Sequence, residues 1–283
     1  MKPRVMSLVL FTCMVGLLIA PKNVNYINSI FSLIAVALGA GAAGTLNMWY
    51  ESDLDALMTR TCLRPIPTGQ VSKNQALFFG VLLSIGSVSL LYFSSNLMSA
   101  SLLLLTICFY FFIYTVWLKR RTPQNIVIGG AAGALPPVIG WTIATGSLTI
   151  EPLILFLIIF LWTPSHFWAL SIYKSNDYKK AKIPMLPIIY GIDRTKKNIF
   201  IYSLLMLPTI SAPYLINFLS EIYFYPALAL TTYYIYLCGT LLKVRKSKET
   251  NTLARKIFLY SIFYLFVIFL LILADYFLAG LYG

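Results

Sequence analysis

A short polar segment, Asn47 to Asp55, holds three of the nine acidic side chains in this chain and directly follows an apolar run. Charge beside hydrocarbon is costly and is seldom retained without a functional reason. Asn47, Glu51 and Asp55 are spaced four apart, so on a helix they project from nearly one face. Oxygen ligands arranged in this way suit a hydrated Mg2+ ion carrying a diphosphate. The spacing therefore predicts a metal site, and the alternative is a solvated polar helix end.

Basic side chains follow this cluster and return after a later apolar run. Arginine forks match phosphate oxygens in a bidentate way, and lysine adds a point charge. We predict diphosphate contacts for Arg60, Arg64, Lys119 and Arg120. Asp53 lies off the shared face and is predicted to pair with Arg60 or Arg64. For each basic residue the alternative is a charge that only sets topology and touches lipid headgroups.

Two further polar residues could take part in chemistry. His166 is the only histidine, and it lies between Trp162 and Trp168 within an apolar run. An imidazole there could bind iron or move a proton, and the alternative is a hydrogen-bonded core residue. Asp177 is the first carboxylate of the second large polar loop. We predict that it faces the first cluster as a second metal ligand, whereas its lysine neighbours allow a purely structural ion pair.

The composition requires these residues to be carried by a membrane protein. The chain is 59% hydrophobic and 11% charged, with a mean hydropathy of +0.80, whereas a soluble domain carries about 25% charged residues. The net charge of +13 would suit nucleic acid, but its location in loops between apolar runs favours topology instead. The cysteines lack metal-site spacing and are predicted to be structural thiols; they are Cys13, Cys62, Cys108 and Cys238.

Nine apolar runs approach the length of about 20 residues that a helix needs to cross a bilayer. They are continuous rather than alternating, which predicts helices and not a barrel. The first is interpreted as a retained span rather than a cleaved signal peptide. The predicted spans are Val5–Ala20, Tyr26–Trp49, Ala76–Tyr92, Met98–Trp117, Ile126–Ile143, Pro152–Ile172, Ile199–Phe218, Ile222–Leu242 and Ile257–Leu278.

With nine spans, every basic residue except Lys22 falls on one side of the membrane. The positive-inside rule makes that side cytoplasmic, with the N-terminus and both large polar loops, and puts the C-terminus outside. Both predicted site loops then share one aqueous face. No composition shift marks a soluble domain, so residues 1–283 are predicted to form a single integral-membrane domain.

Taken together, these motifs resemble the UbiA superfamily of intramembrane prenyltransferases, over nearly the whole chain. Within it they resemble the branch that farnesylates protohaem IX. Members that prenylate quinone precursors share the acidic motif but generally lack the Lys-Arg-Arg-Thr-Pro-Gln-Asn and Thr-Pro-x-His-Phe-Trp runs. The segments that carry the resemblance are Lys2–Arg4, Asn47–Ala56, Arg60–Thr61, Arg64–Pro67, Leu118–Gly133, Trp162–Tyr178 and Pro184–Pro187.

The resemblance implies an all-α polytopic fold, with nine transmembrane helices around a central cavity in a bacterial inner membrane. It implies that farnesyl diphosphate and haem B are substrates, that haem O is the product and that a haem A synthase acts downstream. Mg2+ would be the cofactor, held by Asn47, Glu51, Asp55 and Asp177. The diphosphate would contact Arg60, Arg64, Lys119 and Arg120. His166 would be a haem contact.

The chain departs from the family pattern at three positions. Glu51 stands where the family usually has aspartate, so the carboxylate reaches one methylene further. Ser165 replaces a usual proline before His166. Tyr173 stands four residues before Asp177, where the wider superfamily carries a second aspartate. The alternatives are a related prenyltransferase acting on a quinone precursor, and a membrane transporter, although a coupled transporter would be expected to carry acidic residues at mid-depth.

Overall fold

The computed structural model describes residues 3–21, 25–59 and 61–282, and side chains over 6–21, 25–59 and 61–278. Within those ranges the regular structure is entirely helical, as predicted. The α-helices are α1 (Pro3–Leu18), α2 (Tyr26–Tyr50), α3 (Ser52–Leu57), α4 (Lys73–Ser94), α5 (Leu97–Cys108), α6 (Asn125–Ala134), α7 (Pro136–Thr145), α8 (Ile150–Tyr173), α9 (Ser175–Lys180), α10 (Leu186–Ile189), α11 (Gly191–Leu215), α12 (Glu221–Lys243) and α13 (Ser247–Tyr282).

Seven helices in the described part of the chain are long and apolar enough to cross a membrane. Each predicted apolar run is helical, but two of the nine do not meet these criteria. The apolar part of α1, Met6–Leu18, is short. Helix α12 is long enough, but its five tyrosines lower its mean hydropathy. The chain is an integral membrane protein, and the count of nine spans is not fully confirmed.

Polar residues at the helix starts explain where several helices begin. Ser72 and Gln75 form a reciprocal capping box at the start of α4. The side chains of Asn25, Asn96 and Ser220 accept hydrogen bonds from the first backbone amides of α2, α5 and α12. Each cap satisfies an amide that the helix itself leaves unpaired.

The fifth predicted span is divided in two. Helix α6 ends at Ala134 and α7 begins at Pro136, because a proline is favourable only in the first turn of a helix. Helix α7 ends at Gly146, whose φ of 69° lies in the left-handed region. Gly140 lies against the backbone oxygen of Cys13 in α1, so a side chain there would overlap backbone. The small residues of this span therefore permit close packing.

Helix α5 continues into a π-helical segment, Phe109–Leu118. In this wider turn the Lys119 amide donates to the Tyr114 carbonyl, five residues back, at 2.9 Å. The Thr115 hydroxyl similarly donates to the Tyr110 carbonyl at 2.8 Å. Such segments are rare and occur often at functional sites. This one delivers Thr115 and Lys119 to the polar cluster.

The core lies where the membrane-length helices pack against one another, and the outer surface is also apolar. One large cluster joins α1, α7, α8, α11, α12 and α13 and includes the buried Leu155, Ile158 and Phe269. Large apolar side chains such as Phe78 and Phe93 are exposed on the outside. Lipid tails cover such surfaces in a bilayer, since they are as apolar as the side chains themselves. The predicted central cavity stays a prediction.

Candidate functional site

Three of the four predicted metal ligands, those before the second polar loop, lie along a nearly continuous helical path. Helix α2 ends at Tyr50, Glu51 occupies a bend with φ −95° and ψ 14°, and α3 resumes at Ser52. The Glu51 amide still donates to the Asn47 carbonyl at 3.0 Å, and the Asp55 amide to the Glu51 carbonyl at 2.8 Å. Asn47, Glu51 and Asp55 are buried, with 1–3% of each residue exposed. The four-residue spacing therefore persists through the bend.

Glu51 forms the innermost ion pair of the site. The Lys119 ammonium donates to Glu51 Oε2 at 2.5 Å, from the end of the π-helical segment. The second oxygen, Oε1, is buried and accepts no hydrogen bond from any described residue. A buried, unpaired carboxylate oxygen is costly unless a cation or donor reaches it. This oxygen is therefore suited to a metal ion.

Asp55 forms the second buried pair. Arg64 donates from Nη1 to Asp55 Oδ2 at 2.6 Å, and the carboxylate is 5% exposed. The Thr61 hydroxyl donates to the Asp55 backbone oxygen at 3.0 Å, which ties the following loop to α3. Two buried carboxylates thus each carry one cation. Both cations are residues predicted to bind a diphosphate.

Asp53 has a different partner from the one predicted. Arg120 donates to both of its oxygens, at 3.0 and 2.8 Å, in a bidentate pair. The predicted pairing of Asp53 with Arg64 was wrong, because Arg64 pairs with the buried Asp55 instead. The other predicted partner, Arg60, lies outside the described residues. Partial burial raises the pKa of Asp53, but the hydrogen bonds and charge of Arg120 outweigh it and hold the pKa below its usual value. Arg120 also lies over the Tyr50 ring, at 5.2 Å from its centroid.

The structure brings the second polar loop to the first. Thr59 donates to Asp177 Oδ2 at 2.9 Å, so the loops after α3 and α8 are in contact. Asn47 donates to the Thr115 hydroxyl at 3.1 Å. Sequence reasoning missed Thr59 and Thr115. The only signal for Thr115 was that it is the single threonine in an aromatic run, four residues before Lys119.

His166 lies in an aromatic environment on α8. Its ring stacks on Trp162 and on Phe258 of α13, with centroids 4.3 and 4.7 Å apart. Nδ1 is 2.6 Å from the Ser261 hydroxyl. The residue is 7% exposed, and no hydrogen bond to Nε2 is found among the described residues. The histidine is thus a hydrogen-bonded core residue that keeps one nitrogen unengaged.

The donor set fits Mg2+ when substrate oxygens are added. Among the described residues, no three His, Cys, Asp or Glu side chains form a ready-made metal centre. Mg2+ seldom uses such all-protein cages and takes one or two carboxylates with phosphate oxygens and waters. Glu51 and Asp55 supply two carboxylates, one with a buried unpaired oxygen. A shallow cleft of about 360 Å³ nearby is lined by Asp53 but by neither buried carboxylate.

The comparisons with known proteins agree with this geometry. The model of the UbiA prenyltransferase family matches residues 9–267, which is most of the chain. The chain belongs to the UbiA prenyltransferase family. It is therefore an integral-membrane prenyltransferase, as the motifs predicted.

Relatives within this family are closely similar over most of their length. Protoheme IX farnesyltransferase of Pelagibacter ubique is 65% identical over 275 residues, covering 97% of this chain and 91% of the relative. Protoheme IX farnesyltransferase 2 of Mesorhizobium japonicum is 49% identical, covering 97% and 88%. The predicted resemblance to this branch of the UbiA family is confirmed.

Solved structures confirm the UbiA fold. A digeranylgeranylglyceryl phosphate synthase has a TM-score of 0.79 at 19% identity, covering 95% of this chain and 92% of that one. A UbiA homolog from Archaeoglobus fulgidus bound to GPP and Mg2+ has a TM-score of 0.68 at 16% identity, covering 93% and 96%. At these identities the likeness concerns the fold alone.

Proposed function

We propose that this UbiA-family enzyme transfers a farnesyl group from farnesyl diphosphate to a vinyl group of haem B, with addition of water, giving haem O and diphosphate. The observation that carries the donor half is the pair of buried carboxylates, Glu51 and Asp55, each bound by one cation. The similarity to protoheme IX farnesyltransferases, at 65% identity in one case, supports haem as the acceptor.

The two buried ion pairs form a site whose cations, Lys119 and Arg64, can also bind the diphosphate. Without substrate, Lys119 and Arg64 compensate the two carboxylates, because uncompensated buried charge is strongly unfavourable. When diphosphate enters, the two cations can contact its oxygens while remaining beside the carboxylates. Arg64 offers a planar fork and Lys119 a point charge, the two usual ways to bind phosphate oxygens. Arg60, outside the described residues, remains a predicted third contact.

Asn47, Glu51, Asp55 and, across the loop contact, Asp177 are the residues we propose for Mg2+. Bound there, Mg2+ would neutralise charge that develops on the departing diphosphate. Lys119 and Arg64 would stabilise the same developing charge through preorganised contacts. Arg120, predicted as a diphosphate contact, is bound by Asp53, and we propose that it positions α3 instead.

The acceptor reaction follows from the chemistry of the substrates. Departure of diphosphate leaves an allylic cation, and the electron pair of a haem vinyl group forms the new carbon–carbon bond. Water then adds to the cation beside the porphyrin and loses a proton, leaving a hydroxyethylfarnesyl group. The farnesyl tail and the porphyrin ring are both apolar, which explains a site within a membrane bundle. His166 is the haem contact that we propose.

The membrane location follows the charge distribution. We propose the bacterial inner membrane, with the N-terminus and the loops bearing Glu51 and Asp177 in the cytoplasm and the C-terminus outside. The clustering of basic residues in the loops on one side supports this orientation. An enzyme that oxidises haem O, a haem A synthase, would consume the product.

Purified enzyme in lipid nanodiscs, given labelled farnesyl diphosphate, Mg2+ and either haem B or 4-hydroxybenzoate, tests the proposal. We expect labelled haem O with haem B, and no product with 4-hydroxybenzoate or after removal of Mg2+ by chelation. Prenylated 4-hydroxybenzoate without haem O would show that the acceptor is a quinone precursor and not haem B. Absence of diphosphate release with either acceptor would exclude both activities.

A further inference from the structure

We propose that Ser261 fixes His166 in the tautomer whose Nε2 lone pair ligates the iron of the haem substrate. The inference rests on the proposed function, in which haem B is the acceptor. It assigns a chemical role to His166 and a positioning role to Ser261, a residue of α13 that no sequence motif singled out.

The tautomer follows from two short contacts at one hydroxyl. Ser261 Oγ lies 2.7 Å from the Phe258 carbonyl oxygen and 2.6 Å from His166 Nδ1. A serine hydroxyl has a single hydrogen. If that hydrogen pointed to Nδ1, two oxygens would face each other at 2.7 Å with no hydrogen between them. Both contacts are favourable only when Ser261 donates to Phe258 and Nδ1–H donates to Ser261.

The proton on Nδ1 leaves Nε2 as the nitrogen with a free lone pair, since a neutral imidazole carries one proton. No described residue donates a hydrogen bond to Nε2. Nε2 is not among the fully enclosed side-chain atoms that lack a partner in the described residues, so another group can reach it. A metal centre is one group that can do so, because neutral imidazole is a common metal ligand.

Aromatic stacking restricts the approach to this nitrogen. Trp162 and Phe258 cover the two faces of the His166 ring at interplanar angles of 19° and 27°. Trp162 is itself anchored, because its indole N–H donates to the Ser261 carbonyl at 2.8 Å. The imidazole is thus held in one plane, and Phe167 packs against it in a T-shaped contact at 4.9 Å, which leaves the remaining edge for a ligand. A lone pair lies in the ring plane at that edge, where an iron atom would bind.

The arrangement matches the outer shell that metal-ligating histidines require. Such a histidine almost always donates its other N–H to an oxygen, which fixes ring orientation and raises ligand basicity. Here the acceptor is the Ser261 hydroxyl, which in turn donates its own hydrogen to the Phe258 carbonyl. Iron ligation would fix the direction perpendicular to the porphyrin plane, leaving rotation about the Fe–N axis to other contacts. Ser261 would therefore help to fix the plane of the haem, and other contacts would select the vinyl group that is attacked.

Isotope labelling provides a direct test because the chain contains one histidine. Enzyme grown with ¹⁵N-histidine is mixed with one equivalent of ferric haem B and examined by pulsed electron paramagnetic resonance. We expect a ¹⁵N hyperfine coupling of the strength seen for iron-bound imidazole. Haem that binds without this coupling would overturn the proposal.

Variants test the positioning role of Ser261. Ser261→Ala should weaken haem binding roughly tenfold, the lower end of the range for outer partners of ligating histidines, and should broaden the ¹⁵N signal. Ser261→Thr keeps the hydroxyl and should restore both. Ser171→Ala is the matched control, since Ser171 is also buried and donates to a carbonyl three residues back, that of Trp168, at 2.9 Å. Equal effects in Ser171→Ala and Ser261→Ala would contradict a specific role.

The same preparations separate this inference from the proposed function. If haem O is formed while the wild-type enzyme shows no ¹⁵N coupling, the function stands and the ligand assignment falls. If haem binds with the coupling but is not prenylated, the ligand assignment stands and the function falls. A His166→Ala enzyme whose haem spectrum is unchanged but whose turnover is lost would indicate proton transfer and would also overturn ligation.

Discussion

Glu51 is the residue whose chemistry is most particular to this chain. Its side chain spans from the bend between α2 and α3 to Lys119, and one oxygen remains buried without a partner. The resemblance led us to expect aspartate here, one methylene shorter. One oxygen of Glu51 pairs with Lys119, and the other is available to bind a cation. The negative charge, rather than the length, is then the property that the site needs.

Two substitutions at Glu51 distinguish charge from length. Glu51→Gln removes the charge and should lower kcat by about 100-fold, the effect of losing roughly 2.7 kcal/mol of transition-state stabilisation. Glu51→Asp keeps the charge and should stay within about tenfold of wild type, with a greater requirement for Mg2+. Initial rates of diphosphate release across a Mg2+ titration provide the measurement. Equal losses in both variants would show that side-chain length is decisive.

Helix α3 is connected to the neighbouring loop by the Asp53–Arg120 pair. The pair is partly exposed, so its contribution to the free energy of unfolding should be under about 1 kcal/mol. Arg120→Ala should nevertheless loosen α3, which has only six residues, and hydrogen exchange of 52–57 should accelerate. Helix α9, of equal length and without this pair, serves as an internal reference. Unchanged protection of 52–57 would contradict the link.

The same pair predicts a pH dependence. Arg120 lowers the pKa of Asp53 below its usual value, so the stabilisation is present above the ordinary aspartate pKa. It should be lost as the pH falls through the depressed pKa, below about pH 4. Exchange rates of 52–57, corrected for intrinsic rates, should then converge between wild type and Arg120→Ala. Convergence near neutral pH would indicate another cause.

The crossing of α1 and α7 depends on a glycine. A side chain at Gly140 would meet the backbone of Cys13, which cannot yield as a flexible side chain would. Gly140→Ala should lower the free energy of unfolding by about 1–3 kcal/mol, the usual cost of overpacking. Gly133→Ala is the control, because nothing lies within 4 Å of its added carbon, and it should be neutral or stabilising. Thermal unfolding in detergent compares the two.

Element by element, the sequence predicted the helices well and their interruptions less well. Hydrophobic runs mark the long helices but not the short helices α3, α9 and α10, and Ser72 or Asn96 could be recognised as caps. The division at Pro136 follows known proline behaviour, although the run was predicted as one span. No sequence pattern that we know predicts the π-helical segment, because it depends on the contact between Thr115 and α2. The partner of Asp53 likewise depended on a contact between distant loops.

At the scale of the whole molecule, the polar chemistry is confined to one end of the bundle. Asp275, the buried carboxylate at the other end, accepts from the amides of Ser220 and Tyr223 and from the Ser220 hydroxyl. It completes the start of α12, where negative charge is favourable. Helix capping therefore accounts for the Asp275 carboxylate without a role in transport. Site positions remained harder to predict, because residues such as Ser261 become relevant only through packing.

Asp275→Asn should therefore affect stability and not catalysis. Loss of the charge-assisted hydrogen bonds should lower the free energy of unfolding by about 1–3 kcal/mol. The kcat/KM for farnesyl transfer, measured below the unfolding temperature, should stay close to wild type. A large loss of turnover in a folded Asp275→Asn enzyme would mean that both ends of the bundle take part in function.

The central claim is that the buried carboxylates, and not acidic charge in general, activate the prenyl donor. The most direct measurement compares haem O formation by Asp55→Asn and Asp53→Asn enzymes in nanodiscs, at saturating Mg2+. We expect at least about a 100-fold loss for Asp55→Asn. For Asp53→Asn, whose carboxylate pairs with Arg120, we expect a loss below about tenfold. Near-normal turnover in a folded Asp55→Asn enzyme would contradict the account.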